Sequence, residues 1–86
     1  MRWLLPRMPD PHPSQLALGN AIRQIRLREK LTQEELASRA GYHLTWISRI
    51  ETGGQSTGWV TLKRVADALG VTMVELAALA ERIELE

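Results

Sequence analysis

Thr32 to Gly53 reads TQEELASRAGYHLTWISRIETG, and its spacing predicts two short helices joined by a tight turn. Thr32 is an N-cap residue with Glu35 three places on, so hydroxyl and carboxylate can satisfy each other's backbone amides as a capping box. Leu36, Ala37 and Ala40 fall on one side of the helix that starts there. Gly41 ends it, because glycine enters the positive-φ region at a helix terminus without a Cβ clash. After Tyr42 and His43 a second helix begins, with Ile47 and Ile50 three residues apart facing inward. Leu44, Thr45, Ser48, Arg49 and Thr52 then point elsewhere. Small or branched residues at Ala37, Gly41 and Ile47 let the pair cross closely around its short turn, although an αα-hairpin inside any helical bundle makes the same demand.

Outward from this pair the chain continues in helices. Ser14 is the expected N-cap of a first helix running to about Lys30, with Leu18, Ile22, Ile25 and Glu29 at helical spacing and Leu16 and Ala21 widening the stripe. Arg23, Arg26 and Arg28 occupy its other side, facing either phosphates or solvent. Residues 1–13 carry prolines at 6, 9, 11 and 13 and are expected to form a disordered tail ahead of a domain spanning 14–86. Arg2, Trp3 and Arg7 would be the parts of that tail able to follow a nucleic acid. Beyond the pair, GGQSTGW is a loop, Thr61 to Leu69 is a fourth helix closed by Gly70, and Thr72 caps a fifth from Met73 to about Ile83. Leu76, Ala80 and Ile83 form one stripe of that helix; Val74, Ala78 and Leu85 form another. The fold class is all-α, with five helices and no strand.

Composition narrows the function. The 86 residues are 44% hydrophobic and contain no cysteine, so one small domain is stabilised by packing, without disulfides or thiolate metal sites. No apolar run approaches the ~20 residues of a membrane span, and MRWLLPRM lacks the features of a secretory signal. The chain is expected to be cytoplasmic, with no membrane partner. His12 and His43 are isolated and offer no metal-ligand set, and no cofactor is expected. Without a carboxylate dyad, a Ser/His/Asp set or a phosphate-cradling glycine loop, the sequence does not read as an enzyme. Charge is uneven: residues 1–64 hold ten Arg/Lys against five Asp/Glu, residues 65–86 one against five. A basic body with an acidic end suits a polyanion on one side.

RQIRLREKLTQEELASRAG, WISRIETG and LKRVADALGV follow one another with the order and spacing of a known family. Residues 15–77 resemble the lambda-repressor-like, Xre-type helix-turn-helix proteins. The resemblance implies a five-helix domain whose second helix of the pair enters the DNA major groove while the first lies across the backbone, in dimers that read two half-sites. By the same resemblance Gln33 bonds phosphate and braces a neighbouring recognition side chain, and Leu44, Thr45, Ser48 and Arg49 face the bases, Arg49 being the best candidate to grip guanine O6 and N7. Trp46 has two readings, an indole N–H at a phosphate or a ring buried against the first helix. His43 takes the N-cap position of the recognition helix where the family has better capping residues, and Thr52 closes the same face. Lys30 replaces a frequent glycine, and Thr57 and Gly58 stand in a loop whose amides can meet phosphate.

These features imply a sequence-specific DNA-binding transcriptional regulator, a dimeric repressor on a palindromic operator. A homodimer is expected through the fifth helix, with Val74, Leu79, Ile83 and Leu85 at the interface, because that helix has more apolar surface than one domain buries. The alternative is a protein-binding module: an antitoxin-type chain with an unidentified protein partner that also represses its own operon. Only about 16 residues follow Gly70 to serve such a partner.

Overall fold

Five helices follow one another in the computed structural model, which describes residues 12–86: α1 (Pro13–Arg28), α2 (Gln33–Ala40), α3 (Leu44–Glu51), α4 (Trp59–Leu69) and α5 (Met73–Leu85). Among the described residues there is no strand. The arm residues Arg2, Trp3 and Arg7 lie outside the described residues.

Two helix starts differ from the sequence reading. The cap of α1 is His12, two residues before Ser14: its Nδ1 accepts from the Ser14 amide at 3.0 Å, and its own amide donates to Gln15 Oε1 at 3.4 Å. Pro13 therefore belongs to the domain as the first helical residue, where a missing N–H costs nothing and the fixed φ suits a helix. In the same way α4 starts at Trp59, with Gly58 as its N-cap and no side-chain cap bond. The remaining starts agree with the expected caps. Thr32 Oγ1 accepts from the Glu35 amide at 3.0 Å, and Glu35 Oε1 accepts from the Thr32 amide at 3.0 Å. The hydrogen bond from the Thr32 amide, with the Thr32 hydroxyl beside it and the Arg39 charge helping, holds the Glu35 carboxyl below its usual range. Thr72 Oγ1 likewise accepts from the Glu75 amide at 3.1 Å.

The ends of α1 to α4 share one closure. The amide two residues past the last carbonyl-bearing turn reaches back across a left-handed residue: Tyr42 to the Ala37 carbonyl at 2.9 Å over Gly41, and Val71 to the Ala66 carbonyl at 3.0 Å over Gly70. At the end of α1 the Leu31 amide reaches the Arg26 carbonyl at 3.0 Å in the same way, but the left-handed residue is Lys30, with φ 58°. A lysine there accepts a steric penalty that glycine avoids.

One core joins all five helices. Ala21, Ile22 and Ile25 of α1, Leu36, Ala37 and Ala40 of α2, Ile47 and Ile50 of α3, Val65, Ala66 and Leu69 of α4, and Leu76 of α5 are buried together, with Leu31 and Val71 from the connections. Each fully buried Ile or Leu contributes about 1.5–3 kcal/mol relative to exposure. On α1 the expected Ala21, Ile22 and Ile25 are buried and Leu18 is half-buried, but the stripe departs from expectation at two of its members. Leu16 is 48% exposed and Glu29 is exposed, whereas Ala17 and Gly19 are buried. The reason is the close crossing of α1 over α3: a Cβ at Gly19 would lie 2.7 Å from the Glu51 carbonyl oxygen and also meet that of Ile50. The backbones touch there, so the buried side of α1 is rotated toward small residues.

Candidate nucleic-acid interface

The outward side of α3 is defined by what its inward side does. Ile47 and Ile50 are fully enclosed by the core. At about 100° per residue this turns Leu44, Thr45, Arg49 and Thr52 to the surface, where all four are exposed, with Ser48 half-buried at the edge. His43 is the N-cap of α3 but makes no side-chain cap bond, so the Leu44 and Thr45 amides keep free donors that suit an anion. The Thr52 hydroxyl turns back to the Ser48 and Arg49 carbonyls at 3.1 and 3.2 Å, sealing the far end of the helix. Arg49 is free of ion pairs among the described residues.

A buried polar network holds α3 from behind. Arg26 Nε donates to Glu51 Oε2 at 2.7 Å and Nη2 to Oε1 at 3.0 Å, while Nη1 donates to the Leu31 carbonyl at 2.9 Å. Gln33 Nε2 donates to the same Glu51 Oε1 at 3.1 Å. Three elements thus meet at one carboxylate: α1 through Arg26, α3 through Glu51, and the N-terminus of α2 through Gln33. Every buried side-chain nitrogen and oxygen among the described residues has a partner, as a low-dielectric interior demands. Arg26 is therefore no phosphate or solvent residue. The signal for it was present: Arg26 lies four residues after Ile22 and Glu51 four after Ile47, so opposite charges ride on two apolar stripes. Gln33 is placed at the expected helix terminus, half-buried, with its amide fixed by Glu51.

Trp46 is half-buried, though against the turn that precedes α3. Its ring stacks on Tyr42 with centroids 4.6 Å apart and planes tilted by 30°. The Tyr42 hydroxyl donates to Thr61 Oγ1 at 3.1 Å, and the Arg64 guanidinium stands 5.9 Å from the Tyr42 ring centre. The turn between α2 and α3 is in this way tied to α4.

The four residues expected at a dimer interface separate into two pairs. Val74 and Leu85 are 78% and 86% exposed, whereas Leu79 and Ile83 are half-buried and pack on the chain's own core. The second pair is occupied because α5 lies along α1. The exposed apolar face instead extends to Trp59 at the start of α4, which the sequence reading left out. Between α4 and α5 runs an apolar groove lined by Leu18, Trp59, Met73, Val74, Ala77 and Leu85, with Glu81 and Glu84 at its rim. Among the described residues no group of three or more His, Asp or Glu could hold a metal ion, and no helix is long and apolar enough to cross a membrane.

Comparison with known proteins agrees with this architecture. The family profile of the helix-turn-helix domain matches residues 17–79. The uncharacterized HTH-type transcriptional regulator y4dJ of Sinorhizobium fredii is 37% identical over 59 residues, covering 69% of this chain and 77% of the relative. Control protein C.BamHI of Bacillus amyloliquefaciens is 37% identical over 62 residues, covering 71% and 76%. Among solved structures, the restriction-modification controller protein C.Esp1396I, a tetramer in complex with its natural 35 base-pair operator, superposes with a TM-score of 0.80 at 26% identity, covering 85% of this chain and 96% of that one. The chain belongs to the helix-turn-helix domain family, with α2 and α3 as its helix-turn-helix.

Proposed function

We propose that the chain is a sequence-specific DNA-binding transcriptional regulator, a repressor that binds a palindromic operator as a homodimer with α3 in the major groove. The observation that carries this reading is the pairing of an exposed, polar outer side of α3 with a buried network that fixes it and Gln33 together. Family membership supports it, as do relatives that are transcriptional regulators and control proteins, one of them solved on its operator. In this reading Thr45, Ser48 and Arg49 read base edges, Leu44 meets a thymine methyl, and His43, Trp46 and Thr52 border the groove. Gln33 bonds a phosphate from the amino end of α2. Dimerisation uses the apolar face of Val74 and Leu85 on α5, joined by Trp59 of α4. No catalytic step belongs to this function.

Selection of bound sequences from randomised half-sites tests it. Arg49→Ala is expected to cost ~1–3 kcal/mol at the selected operator and to flatten preference at one base pair per half-site, leaving other positions ranked as before. Gln33→Ala is expected to weaken all sequences alike. An Arg49→Ala protein with every base preference intact would remove Arg49 from readout.

A further inference from the structure

A helix lying in the major groove has a phosphate wall on each side, and the two flanks of α3 are built differently. Counting 100° per residue, Ser48 and Glu51 fall on one flank and Trp46 on the other. The first flank is served by Gln33, whose amide is set by Glu51 at 3.1 Å. On the second flank Trp46 stacks on Tyr42, the Tyr42 hydroxyl is pinned to Thr61 at 3.1 Å, and Arg64 of α4 lies over the Tyr42 ring at 5.9 Å.

We propose that Arg64 contacts a DNA phosphate on this second wall, and that Tyr42 is its positioning residue. The proposal rests on the DNA-binding reading above. Arg64 is exposed and makes no ion pair among the described residues. The acid in its neighbourhood, Asp67, is already engaged by Lys63 Nζ at 2.6 Å, so it does not neutralise the guanidinium. Arg39 lines the same shallow depression between α2 and α4 and adds positive potential there. An arginine held over an aromatic face keeps its planar fork of donors but loses part of its freedom to wander, which lowers the entropy cost of gripping a phosphate. The tyrosine cannot drift, because stacking fixes its ring and Thr61 fixes its hydroxyl.

The test is the salt dependence of operator binding, measured on the full chain for the wild type, Arg64→Gln, Tyr42→Leu and the double variant. Arg64→Gln is expected to reduce the slope of log affinity against log salt by about 0.9 per subunit, about 1.8 for a dimer, with base preferences and thermal melting unchanged. Tyr42→Leu is expected to weaken binding less in the Arg64→Gln background than in the wild type, since its effect passes through the guanidinium. A wild-type slope in Arg64→Gln overturns the phosphate contact, and strictly additive losses overturn the positioning role of Tyr42. A wild-type chain that binds no DNA at any salt overturns the parent reading, a result distinct from either.

Discussion

Gly19→Ala is expected to destabilise the domain although alanine is the better helix former. The added Cβ would meet three backbone atoms of α3: the Ile50 carbonyl oxygen, the Glu51 carbonyl oxygen at 2.7 Å and the Glu51 carbonyl carbon at 2.9 Å. None of these is the end of a flexible side chain, so relief requires α1 and α3 to move apart as bodies. Overpacking of this kind costs about 1–3 kcal/mol, and rigid backbone neighbours place it at the upper end. Replacing glycine within a helix returns about 1 kcal/mol. The net loss is about 2 kcal/mol, which for a domain of this size lowers the melting temperature by roughly 8–16 °C. Thermal unfolding followed by circular dichroism measures it, with Asn20→Ala, one residue along on the exposed side, as a control within about 0.5 kcal/mol of the wild type. A Gly19→Ala protein that melts at or above the wild type would refute the close crossing. The same displacement would carry Glu51 away from Arg26, so operator binding should fall even where the variant is folded.

Breaking the buried pair with Glu51→Gln leaves the Arg26 charge unmatched and should cost about 3–5 kcal/mol in urea denaturation, whereas Arg26→Met with Glu51→Leu should recover most of that loss. The double variant nevertheless leaves the Gln33 amide without its acceptor, so its operator affinity should stay below wild type. Lys30→Gly relieves the left-handed strain at the end of α1 and should raise stability by about 1 kcal/mol in the same assay; no gain would mean that the φ of 58° costs nothing there. Val74→Asp with Leu85→Asp should give a folded monomer in analytical ultracentrifugation, while Leu79→Asp with Ile83→Asp should unfold the chain, because only the second pair packs on its own core.

The five-helix order was legible because short-range rules decide it. Thr32, Glu35 and Gly41 bracket α2 with a capping box and a left-handed closure, and around the last connection Gly70 supplies a left-handed closure and Thr72 a hydroxyl cap. Two starts whose cap residue is not an obvious one in sequence were misplaced. A histidine cap at His12 and a bare glycine at Gly58 give no preference that outweighs Ser14 or Thr61, so α1 and α4 begin earlier than the sequence reading placed them. Part of the α1 face, at Leu16 and Gly19, was missed for a different reason. Periodicity favours large apolar residues, but the position nearest α3 takes no side chain at all, and Leu16 is pushed to the surface beside Gly53.

The outward residues of α3 could be read because Ile47 and Ile50 fix the rotation of the helix, but what holds that helix in place could not be read from α3 alone. The network crosses 25 positions between Arg26 and Glu51 and 18 between Gln33 and Glu51. Charged side chains are ordinarily assigned to the surface, so Arg26 joined Arg23 and Arg28 on a side facing phosphates or solvent despite its place four residues after Ile22. Glu51 accepts three donors from two other helices, and one of those donors is the side chain proposed to touch phosphate. Gln33 is thereby oriented before any DNA arrives, and the entropy of fixing its amide is spent in folding. A substitution at Glu51, which contacts no DNA in this reading, should therefore weaken the Gln33 contact and leave the side chains of Thr45 and Arg49 chemically intact.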